Sequence, residues 1–499
     1  MFIIAWMQLG TLQKQNMLSE KQQERTVQRI LITYQDLLEV GSDEAQRAEF
    51  TRKVIYNHKN SEDYERAIVA QDYDSKHNTT ITNYRKLLYT ISGQAVEDNY
   101  SANYKICSSF FNRFITQETQ YLLGNGVSWN DKNTAGKLGK DFDVRLQQLG
   151  HYALVDKVSF GFWNYDHLEA FRLTEFAPLY DEEDGALKAG VRFWQIDPVK
   201  PLRATLYEMD GYTNYIWRSG EPVEIEQKRP YKLILRVTKA DGVEIFGGEN
   251  YPGFPIVPLW GNQQHQSELE GIQEGIDAYD LIKSGFANDL DDASQIYWII
   301  QNAGGMDDID LVKFVQRIKT VKAAVVDEDG ARAESHTIDV PYASREALLD
   351  RLRSDLYDDF MTLDTKNIAN GATTATQIKA AYEPLNNKTD MFEYCVIDFL
   401  NNILELAGID DKPSFTRSMI VNTNEAIGVI MQSAEYLSMD YVTEKIMTML
   451  GDADRVQDVL EEMDNENTAR MPIGTGVDDG SGTQTDGSGV EGTGEQDFQ

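Results

Sequence analysis

The sequence has little cysteine and no long hydrophobic run. Its 499 residues include only Cys107 and Cys395, each inside an apolar helical pattern. Two such thiols predict free, buried cysteines in a reducing compartment and argue against a disulfide or a cysteine-bound metal. Nowhere do about 18 apolar residues follow one another, and the apolar start Met1–Met7 lacks the basic region of a signal peptide. We therefore expect a soluble protein with no membrane contact.

Positive charge is also scarce. Asp and Glu total 81 and Lys and Arg total 47, which gives a formal net charge of −34 at pH 7. A surface with this excess repels nucleic acid as a whole, so any DNA contact is expected to be transient or strictly local. At this length, and with 41% hydrophobic residues, the chain is expected to bury substantial cores and to form several domains.

The motifs of common catalytic sites are missing. The sequence contains no P-loop, no G-x-S-x-G, no H-E-x-x-H and no cysteine–histidine constellation. Its six histidines are scattered, which favours structural or solvated roles. We therefore expect a protein that is not an enzyme and that needs no cofactor or metal.

Acidic clusters leave one catalytic alternative open. Paired carboxylates can hold the two metal ions of a nuclease, although solvated helix faces and helix caps explain such clusters as well. The clusters are Asp289/Asp291/Asp292, Asp307/Asp308/Asp310 and Asp358/Asp359. Asp327–Gly330 is similar to the start of a calcium loop, but it lacks the closing glutamate, and a hairpin turn is the better interpretation.

The first half of the chain changes from helical to strand-like periodicity. A helical stripe from Cys107 to Leu122 is expected to end at Gly124-Asn125-Gly126, and a second helix runs from Phe142 to Val158. Pro255 and Pro258 are expected to close the strand region because proline cannot donate to a ladder. The predicted strands are Phe171–Phe176, Val191–Ile196, Ala204–Met209, Tyr215–Arg218 and Tyr231–Thr238. This pattern predicts an α+β fold with an antiparallel sheet flanked by helices.

Two helical segments, Ser267–Ala293 and Ser344–Leu363, enclose a compact insert. The first has an apolar stripe and is expected to begin at a capping box of Ser267 and Glu270. Its other side is acidic and is expected to be exposed: Glu268, Glu274, Asp277, Asp280, Asp289, Asp291 and Asp292. The insert is expected to contain a strand at Ile296–Gln301, a helix at Asp308–Arg317, and a hairpin of Ala323–Val326 with Ala331–Val340. An ordinary amphipathic hairpin in a monomeric core is the alternative.

A third helical run follows an interruption at Asp364–Thr373. At about 1.5 Å per residue, Thr374–Leu406 would span roughly 50 Å, and Pro384 inside it predicts a kink near Ala380–Pro384. A further strand is expected at Ser414–Val421. Helices are expected at Asn424–Tyr436, Met439–Leu450 and Asp454–Glu462. The residues after Arg470 contain no Lys or Arg and are expected to be disordered.

Several phrases in this order carry a family resemblance. They are Asn99–Trp129, which contains Asn103-Tyr104 and Tyr121–Ser128; Phe254–Asn262 followed by Ser267–Glu270; Ala278–Asp280; Asn288–Asp292; and Asn370–Ala375. Together they resemble tailed-bacteriophage portal proteins of the SPP1 type over residues of about 50–465. Gly126 stands where that family usually has proline.

The resemblance implies a portal fold with named parts. A helix-rich wing with an antiparallel sheet takes 1–266, and stem helices take 267–295 and 344–363. A small α/β clip takes 296–343 and a tunnel loop 364–373. A long kinked helix with a return strand (374–421) completes the wing, followed by a helical crown (422–466) and a disordered acidic tail (467–499).

The resemblance also implies a function and partners. It implies a ring of usually twelve copies at one capsid vertex, through which double-stranded DNA enters during packaging and leaves during ejection. The implied partners are the terminase large subunit, a head-completion or adaptor protein, and the major capsid and scaffolding proteins. The implied location is the virion, with the host cytoplasm during assembly. The alternatives are a metal-dependent phage nuclease or processing enzyme, and another ring-forming connector without a DNA loop.

Candidate site residues follow from these assignments. The tunnel loop comprises Asp364, Thr365, Lys366, Asn367, Ile368, Ala369, Asn370, Gly371, Ala372 and Thr373. The channel face of the stem comprises Glu274, Asp277, Asp280, Asp289 and Asp292, an acidic lining along which DNA would slide. Clip docking is assigned to Asp308, Lys313, Arg317, Asp327, Glu328 and Asp329. Lys366 is the lone cation of the loop, and a phosphate contact and a surface lysine without a role are equal alternatives for it.

Overall fold

The computed structural model describes residues 31–89, 93–98, 102–218, 221–239, 242, 244–293, 297–301, 332–336, 342–366, 375–418, 423–450, 452 and 455–470. Within these residues the chain is a mixed helix and sheet protein. It divides into two compact units, Met1–Met419 and Ile420–Gln499.

The helices of the first unit are separated by loops and strands. They are α1 (Tyr34–Val40), α2 (Glu44–Lys59), α3 (Glu62–Asp74), α4 (Thr79–Thr82), α5 (Phe110–Leu123), α6 (Thr134–Leu138), α7 (Phe142–Asp156), α8 (Gln273–Ala293), α9 (Tyr342–Asp359) and α10 (Ala375–Ala407). Local sequence fixes several ends. The Asp43 side chain accepts the N–H groups of Ala45 and Gln46 and caps α2. Helix α5 stops at Gly124, as predicted.

Sixteen strands are present among the described residues. They are β1 (Leu87–Tyr89), β2 (Ala95–Glu97), β3 (Val127–Trp129), β4 (Val158–Asn164), β5 (His167–Arg172), β6 (Phe176–Tyr180), β7 (Leu187–Trp194), β8 (Leu202–Glu208), β9 (Gly211–Arg218), β10 (Glu221–Ile225), β11 (Lys232–Thr238), β12 (Glu244–Glu249), β13 (Ile256–Trp260), β14 (Tyr297–Gln301), β15 (Arg332–His336) and β16 (Pro413–Phe415). A five-stranded antiparallel sheet has the order β10-β9-β8-β7-β6, and a three-stranded sheet has the order β13-β4-β5. The remaining strands form the pairs β1–β2, β11–β12, β14–β15 and β16–β3.

Three strand predictions need correction. Val158 does not end a helix but begins β4, which is buried along nearly its whole length and therefore shows no polar alternation. The predicted strand Phe171–Phe176 spans the end of β5, a turn and the start of β6. Pro258 does not close the sheet but lies within β13.

The position of Pro258 follows from the ladder between β13 and β4. Trp163 donates its N–H to Pro255 O, and Gly261 donates to Lys157 O, which fixes the register at both ends of β13. Because hydrogen-bonded pairs alternate in an antiparallel ladder, residue 258 turns its nitrogen away from β4. β13 is an edge strand, so no ladder bond is lost there.

Three apolar clusters hold the first unit together. The largest joins α5, α7 and α10 with α8 and α9, through residues such as Phe114, Leu149, Phe399, Ile276 and Leu356. A second lies between the five-stranded and three-stranded sheets and is rich in aromatic rings, among them Phe160, Phe171 and Phe176. A third packs α1 and α2 against the other face of the five-stranded sheet. The predicted α+β organisation is therefore confirmed at the level of helices packed on antiparallel sheets.

The long helix α10 runs without interruption through Pro384 and has 33 residues, about 50 Å at 1.5 Å per residue. The kink near Pro384 stays a prediction. The second unit contains α11 (Thr423–Ser433), a 3-10 turn (Ala434–Tyr436), α12 (Met439–Leu450) and α13 (Val456–Arg470). Helix α12 has the predicted bounds, and α13 runs to Arg470, eight residues past the predicted end at Glu462. The predicted disordered tail lies outside the described residues.

Candidate functional site at the base of the stem

Helices α8 and α9, which we call the stem after the predicted assignment, pack against each other in antiparallel fashion. Where α8 begins and α9 ends, a Cβ on Gly275 would stand 2.9 Å from Leu356 Cδ2. The absence of a side chain at Gly275 therefore allows the two helices to approach closely. Near the other end the Phe286 and Tyr342 rings meet edge to face at 5.8 Å. Asp289 forms an ion pair with Arg345 there. The predicted helix–insert–helix order thus brings the two helices into contact.

The start of α8 differs from the prediction. Ser267 and Glu270 do not form a capping box at the helix start, because α8 begins at Gln273. Gly271 has φ +96°, a conformation that interrupts the helical path and that glycine adopts without strain. The Ser267 hydroxyl is buried and donates to Val155 O at 2.6 Å, so this residue anchors the stem to α7.

The acidic residues of α8 do not share one exposed face. Glu274 is exposed, Asp277 and Asp289 are half-buried, and Asp280 has no exposed surface. The prediction that Asp280 faces a wet channel is therefore wrong, since the chain itself encloses this carboxylate. The side chain of Asp292 lies outside what the structure describes.

Asp277 and Asp280 point towards α3 and α4. Asp277 accepts the Tyr73 hydroxyl at 2.5 Å and the Asn78 amide at 2.9 Å. Burial, reinforced by this carboxylate, raises the pKa of the Tyr73 hydroxyl well above its ordinary value. The same Asn78 amide also donates to Asp280 at 3.0 Å. One asparagine thus joins two carboxylates one turn apart and fixes the orientation of α8.

An extended segment, Tyr104–Ser108, runs along α8 and is held by a side-chain ladder. Asp280, Ser284 and Asn288 are spaced by four residues and lie on one side of the helix. They receive the backbone N–H groups of Ser108 (2.9 and 3.0 Å), Ile106 (2.9 Å) and Tyr104 (2.6 Å) respectively. One helical turn thus matches two residues of extended chain. We call Tyr104–Ser108 the strap.

Burial raises the pKa of the Asp280 carboxyl, and the N–H groups that it accepts offset part of this effect. The backbone N–H groups of alternate strap residues donate to side chains of α8. The strap therefore resembles a strand whose hydrogen-bonding partner is a helix. Two sequence motifs that carry the family resemblance, Asn103-Tyr104 and Asn288–Asp292, lie far apart in sequence and meet at the Tyr104 end of the strap.

The segment that leads out of the second stem helix is anchored on α5. The Gln117 amide brackets it, donating to Leu363 O at 3.3 Å and accepting the Thr362 hydroxyl at 3.0 Å. Leu363 is buried with Tyr121, Tyr382 and Leu385. Asp364 accepts the Arg353 guanidinium at 2.7 Å, and both side chains are mostly buried. The first residue of the predicted tunnel loop is therefore fixed to α9.

The next two residues of the predicted loop, Thr365 and Lys366, are exposed, and the Lys366 N–H donates to Asp364 at 3.1 Å. The remaining predicted loop residues, Asn367–Thr373, lie outside the described residues. A phosphate contact of Lys366 stays a prediction.

A buried charge triad lies where the stem, α5 and α10 meet. Lys388 Nζ is 2.7 Å from Glu268 and 3.3 Å from Glu118, and it stands 3.1 Å from the centroid of the Phe360 ring. Burial raises the pKa of Glu118 to about 7, Lys388 opposes this rise, and Glu268 adds to it. One lysine between two carboxylates leaves one negative charge uncompensated, so the Glu118 site favours a proton near neutral pH.

The sequence places this geometry in a known family. The family model described as "Phage portal protein, SPP1 Gp6-like" matches residues 53–472, most of the chain. The chain belongs to this family of phage portal proteins. Members of this family are portal proteins of phages.

Two curated portal proteins are similar in sequence. The portal protein of Clostridium phage phiCD119 is 30% identical over 190 residues, which cover 36% of this chain and 42% of the relative, less than half of its length. The portal protein of Bacillus phage SPP1 is 23% identical over 389 residues, which cover 70% of this chain and 73% of the relative.

Two solved structures resemble the portal chain more distantly. A neck chain of an empty gene transfer agent particle, with C6 symmetry, has a TM-score of 0.39 and 12% identity and covers 68% of this chain and 90% of that chain. A neck chain of the native particle, with C12 symmetry, has a TM-score of 0.37 and 11% identity and covers 68% and 89% respectively. These scores are too low to establish a shared overall geometry.

The predicted clip, residues 296–343, is described only in part. β14 pairs antiparallel with β15, with Tyr297 opposite His336 and Gln301 opposite Arg332. The predicted strand at Ile296–Gln301 is thereby confirmed, and its partner is the start of the predicted second hairpin strand. The predicted docking residues Asp308, Lys313, Arg317, Asp327, Glu328 and Asp329 lie outside the described residues, as do the predicted helix Asp308–Arg317 and the strand Ala323–Val326.

Glu118 and Lys388 of the buried charge triad were not predicted from the sequence, although it contains a signal for both. Glu118 stands four residues after Phe114 and four before Leu122, in the apolar stripe of α5. Lys388 stands three residues after Leu385 and four before Phe392, in the stripe of α10. Opposite charges that interrupt two apolar stripes indicate a buried pair, because an unpaired buried charge is costly.

The part of the chain that the structure describes shows neither a metal-binding cluster nor a helix that could span a membrane. The described residues contain no group of three or more His, Cys, Asp or Glu side chains arranged to hold a metal ion. Among the helices formed by these residues, none combines the length and the apolar character needed to cross a membrane.

Proposed function

We propose that copies of this portal protein assemble into a closed ring of twelve subunits around double-stranded DNA. The observation that carries the proposal is the family match over residues 53–472, which includes both stem helices, the insert between them and the long helix α10. In this ring the DNA enters during packaging and leaves during ejection through an axial channel.

Electrostatics support a channel in which DNA moves freely. The chain has a net charge of −34, so a ring multiplies a strongly negative charge around a polyanion. On the stem, Glu274, Asp291 and Asp358 are exposed, and we assign them to the lining of the channel. Asp277 and Asp280 are instead used within the subunit, and we assign them to the stiffness of the stem.

The tunnel loop, Asp364–Thr373, is proposed to contact the DNA. Its support is the anchoring of its first residue, since the Arg353–Asp364 ion pair and the Gln117 contacts hold the chain where it leaves α9. A loop held at its base transmits force between the DNA and the stem. We propose that the clip binds the terminase large subunit during filling and a head-completion or adaptor protein afterwards. The wing is proposed to face the major capsid and scaffolding proteins.

A loop deletion tests this function. Removing Ile368–Ala372 should leave the number of subunits per ring unchanged by native mass spectrometry, whereas DNA packaged per capsid should fall at least about tenfold. The matched control removes the five tail residues Thr483–Gly487, and this variant should package DNA normally. Normal packaging by the loop variant would refute the role of the loop in DNA contact. Failure of the unaltered protein to form rings would refute the proposed function itself.

A further inference from the structure

The β11–β12 hairpin carries one apolar face that remains exposed in the described part of the chain. Val237 lies opposite Ile245, and Leu235 lies opposite Gly247. Residues directly opposite each other share a face of a sheet, and so do residues two apart along a strand. Leu235, Val237 and Ile245 therefore form one face, and they are 53%, 42% and 42% exposed. We call this the hairpin face.

The opposite face of the same hairpin is charged and aromatic. Phe246 lies opposite Arg236, and the guanidinium groups of Arg229 and Arg236 stand 4.8 and 5.9 Å from the centroid of its ring. Arg236 also forms an ion pair with Glu244 at 2.7 Å, and its side chain remains 58% exposed. Leu233 lies on this face as well and is 49% exposed. The two faces therefore differ in chemistry, since the hairpin face presents three neighbouring aliphatic side chains.

The hairpin is fixed at its base. The Tyr231 hydroxyl donates to Glu208 O at 2.6 Å, and the Asn250 amide donates to Asp210 O at 3.0 Å, both at the end of β8. The Tyr231 N–H also donates to the Asn250 side chain, which joins the two strands where they leave the larger sheet. The hairpin face therefore has a set orientation relative to the five-stranded sheet.

We propose that the hairpin face docks onto a second copy of this chain, next to it in the ring. This inference rests on the proposed ring. An isolated two-stranded sheet is marginally stable in water and gains stability when a face is packed. The contacts around a ring join two different surfaces of neighbouring copies, so a projecting hairpin has a recipient on the next subunit.

Charge complementarity favours a second copy as the occupant. Lys232 is used within its own chain, because it lies opposite Glu249 and its ammonium stands 4.9 Å from the centroid of the Tyr251 ring. The exposed Lys239, which follows the end of β11, is a cation at the edge of the hairpin face. The chain has a net charge of −34, so acidic groups are abundant on a second copy. We assign the recipient to an apolar patch with an acidic rim on the neighbouring copy, and Lys239 pairs with that rim.

A double substitution with a matched control tests this docking. Leu235→Thr with Val237→Thr keeps a strand-favouring residue at both positions and removes the apolar surface. Ile234→Thr is the control, because Ile234 is exposed on the same strand but is the unpaired residue of a bulge. Mass photometry over a concentration series gives the concentration at which half of the protein is assembled. We expect that concentration to rise about tenfold or more for the double variant and to stay unchanged for the control.

Each outcome decides the proposal. Equal assembly of the double variant and the unaltered protein would overturn the proposed docking. Normal rings of the double variant that fail to enter capsids would overturn it as well, because they would point to a different protein as the occupant. If circular dichroism shows that the double variant does not fold, Lys239→Glu replaces it. That variant should weaken assembly at low salt, and unchanged assembly would reject the docking. Because the unaltered protein is measured in parallel, loss of rings there marks failure of the proposed function instead.

Discussion

The Asp280 carboxylate accepts the backbone N–H of Ser108 with both of its oxygens, at 2.9 and 3.0 Å. This contact joins the stem helix α8 to the strap, and the Asn78 amide joins the same carboxylate to the N-terminal end of α4. A residue on the polar side of an amphipathic helix is thus a central structural group of the subunit.

Replacing Asp280 should therefore destabilise the subunit. Asp280→Ala leaves the Ser108 N–H without its acceptor in a buried site, which costs about 1–3 kcal/mol, and leaves the Asn78 amide with Asp277 as its remaining carboxylate partner. The urea unfolding midpoint should fall, and hydrogen exchange at Tyr104–Ser108 should accelerate. Glu274→Ala is the control on the same helix, and its exposed side chain predicts a change within about 0.5 kcal/mol. Equal midpoints for the two variants would contradict the assigned role of Asp280.

The contrast between Glu274 and Asp280 shows what the sequence could predict. Helical periodicity correctly identified α8 and α9 because an apolar stripe is a local signal. It did not identify which acidic residues are buried, because their partners, Asn78 and Ser108, lie some 170 to 200 positions away. The predicted capping box was wrong for a related reason, because the Ser267 hydroxyl donates to Val155 O and does not cap the helix.

The strand predictions show the same limit. β4 was missed because both of its faces are buried, so it lacks the alternation that marks a strand. β13 was missed because Pro258 argued against a ladder, and only the edge position of this strand in the sheet makes the proline acceptable.

Glu118 predicts a pH dependence of stability. Its pKa is raised from an ordinary value of 4.5 to about 7. The folded state therefore holds a proton that the unfolded state releases, and the stability from this group is fully present below about pH 4.5 and is lost as pH rises to about 7. The slope approaches at most about 1.4 kcal/mol per pH unit.

Glu118→Gln removes the titrating carboxyl and should flatten this part of the curve. Urea unfolding from pH 5 to pH 8 makes the comparison, with the exposed Glu65→Gln as a control that keeps the slope. An unchanged slope in Glu118→Gln would show that the triad does not take up the proton.

Gly161 predicts a packing constraint between β4 and α10. A Cβ at this position would stand 2.5 Å from the ring of Phe399, which is fully buried on α10. Gly161→Ala should cost about 1–3 kcal/mol of unfolding free energy through overpacking. Gly285→Ala on α8 meets no described atom within 4 Å and should stabilise the helix by up to about 1 kcal/mol. Thermal unfolding of both variants checks the opposite signs, and a stabilised Gly161→Ala would contradict the packing.

The Arg353–Asp364 ion pair predicts local order at the start of the tunnel loop. Arg353→Ala leaves the mostly buried Asp364 carboxylate without this partner, so hydrogen exchange at Thr362–Lys366 should accelerate while the number of subunits per ring stays the same. The control is Arg351→Ala, which removes an exposed pair with Asp355 on the same helix and should change little. Identical exchange in the two variants would mean that the ion pair does not hold the loop.

We propose that α8 and α9 surround an axial DNA channel shared by twelve copies. A symmetry-resolved electron cryomicroscopy reconstruction of the purified protein tests this arrangement. We expect a closed ring in which Glu274 faces the axial opening, whereas Asp280 remains within its own subunit against the strap. A monomer, or a ring whose stem helices lie away from the axis, would contradict it.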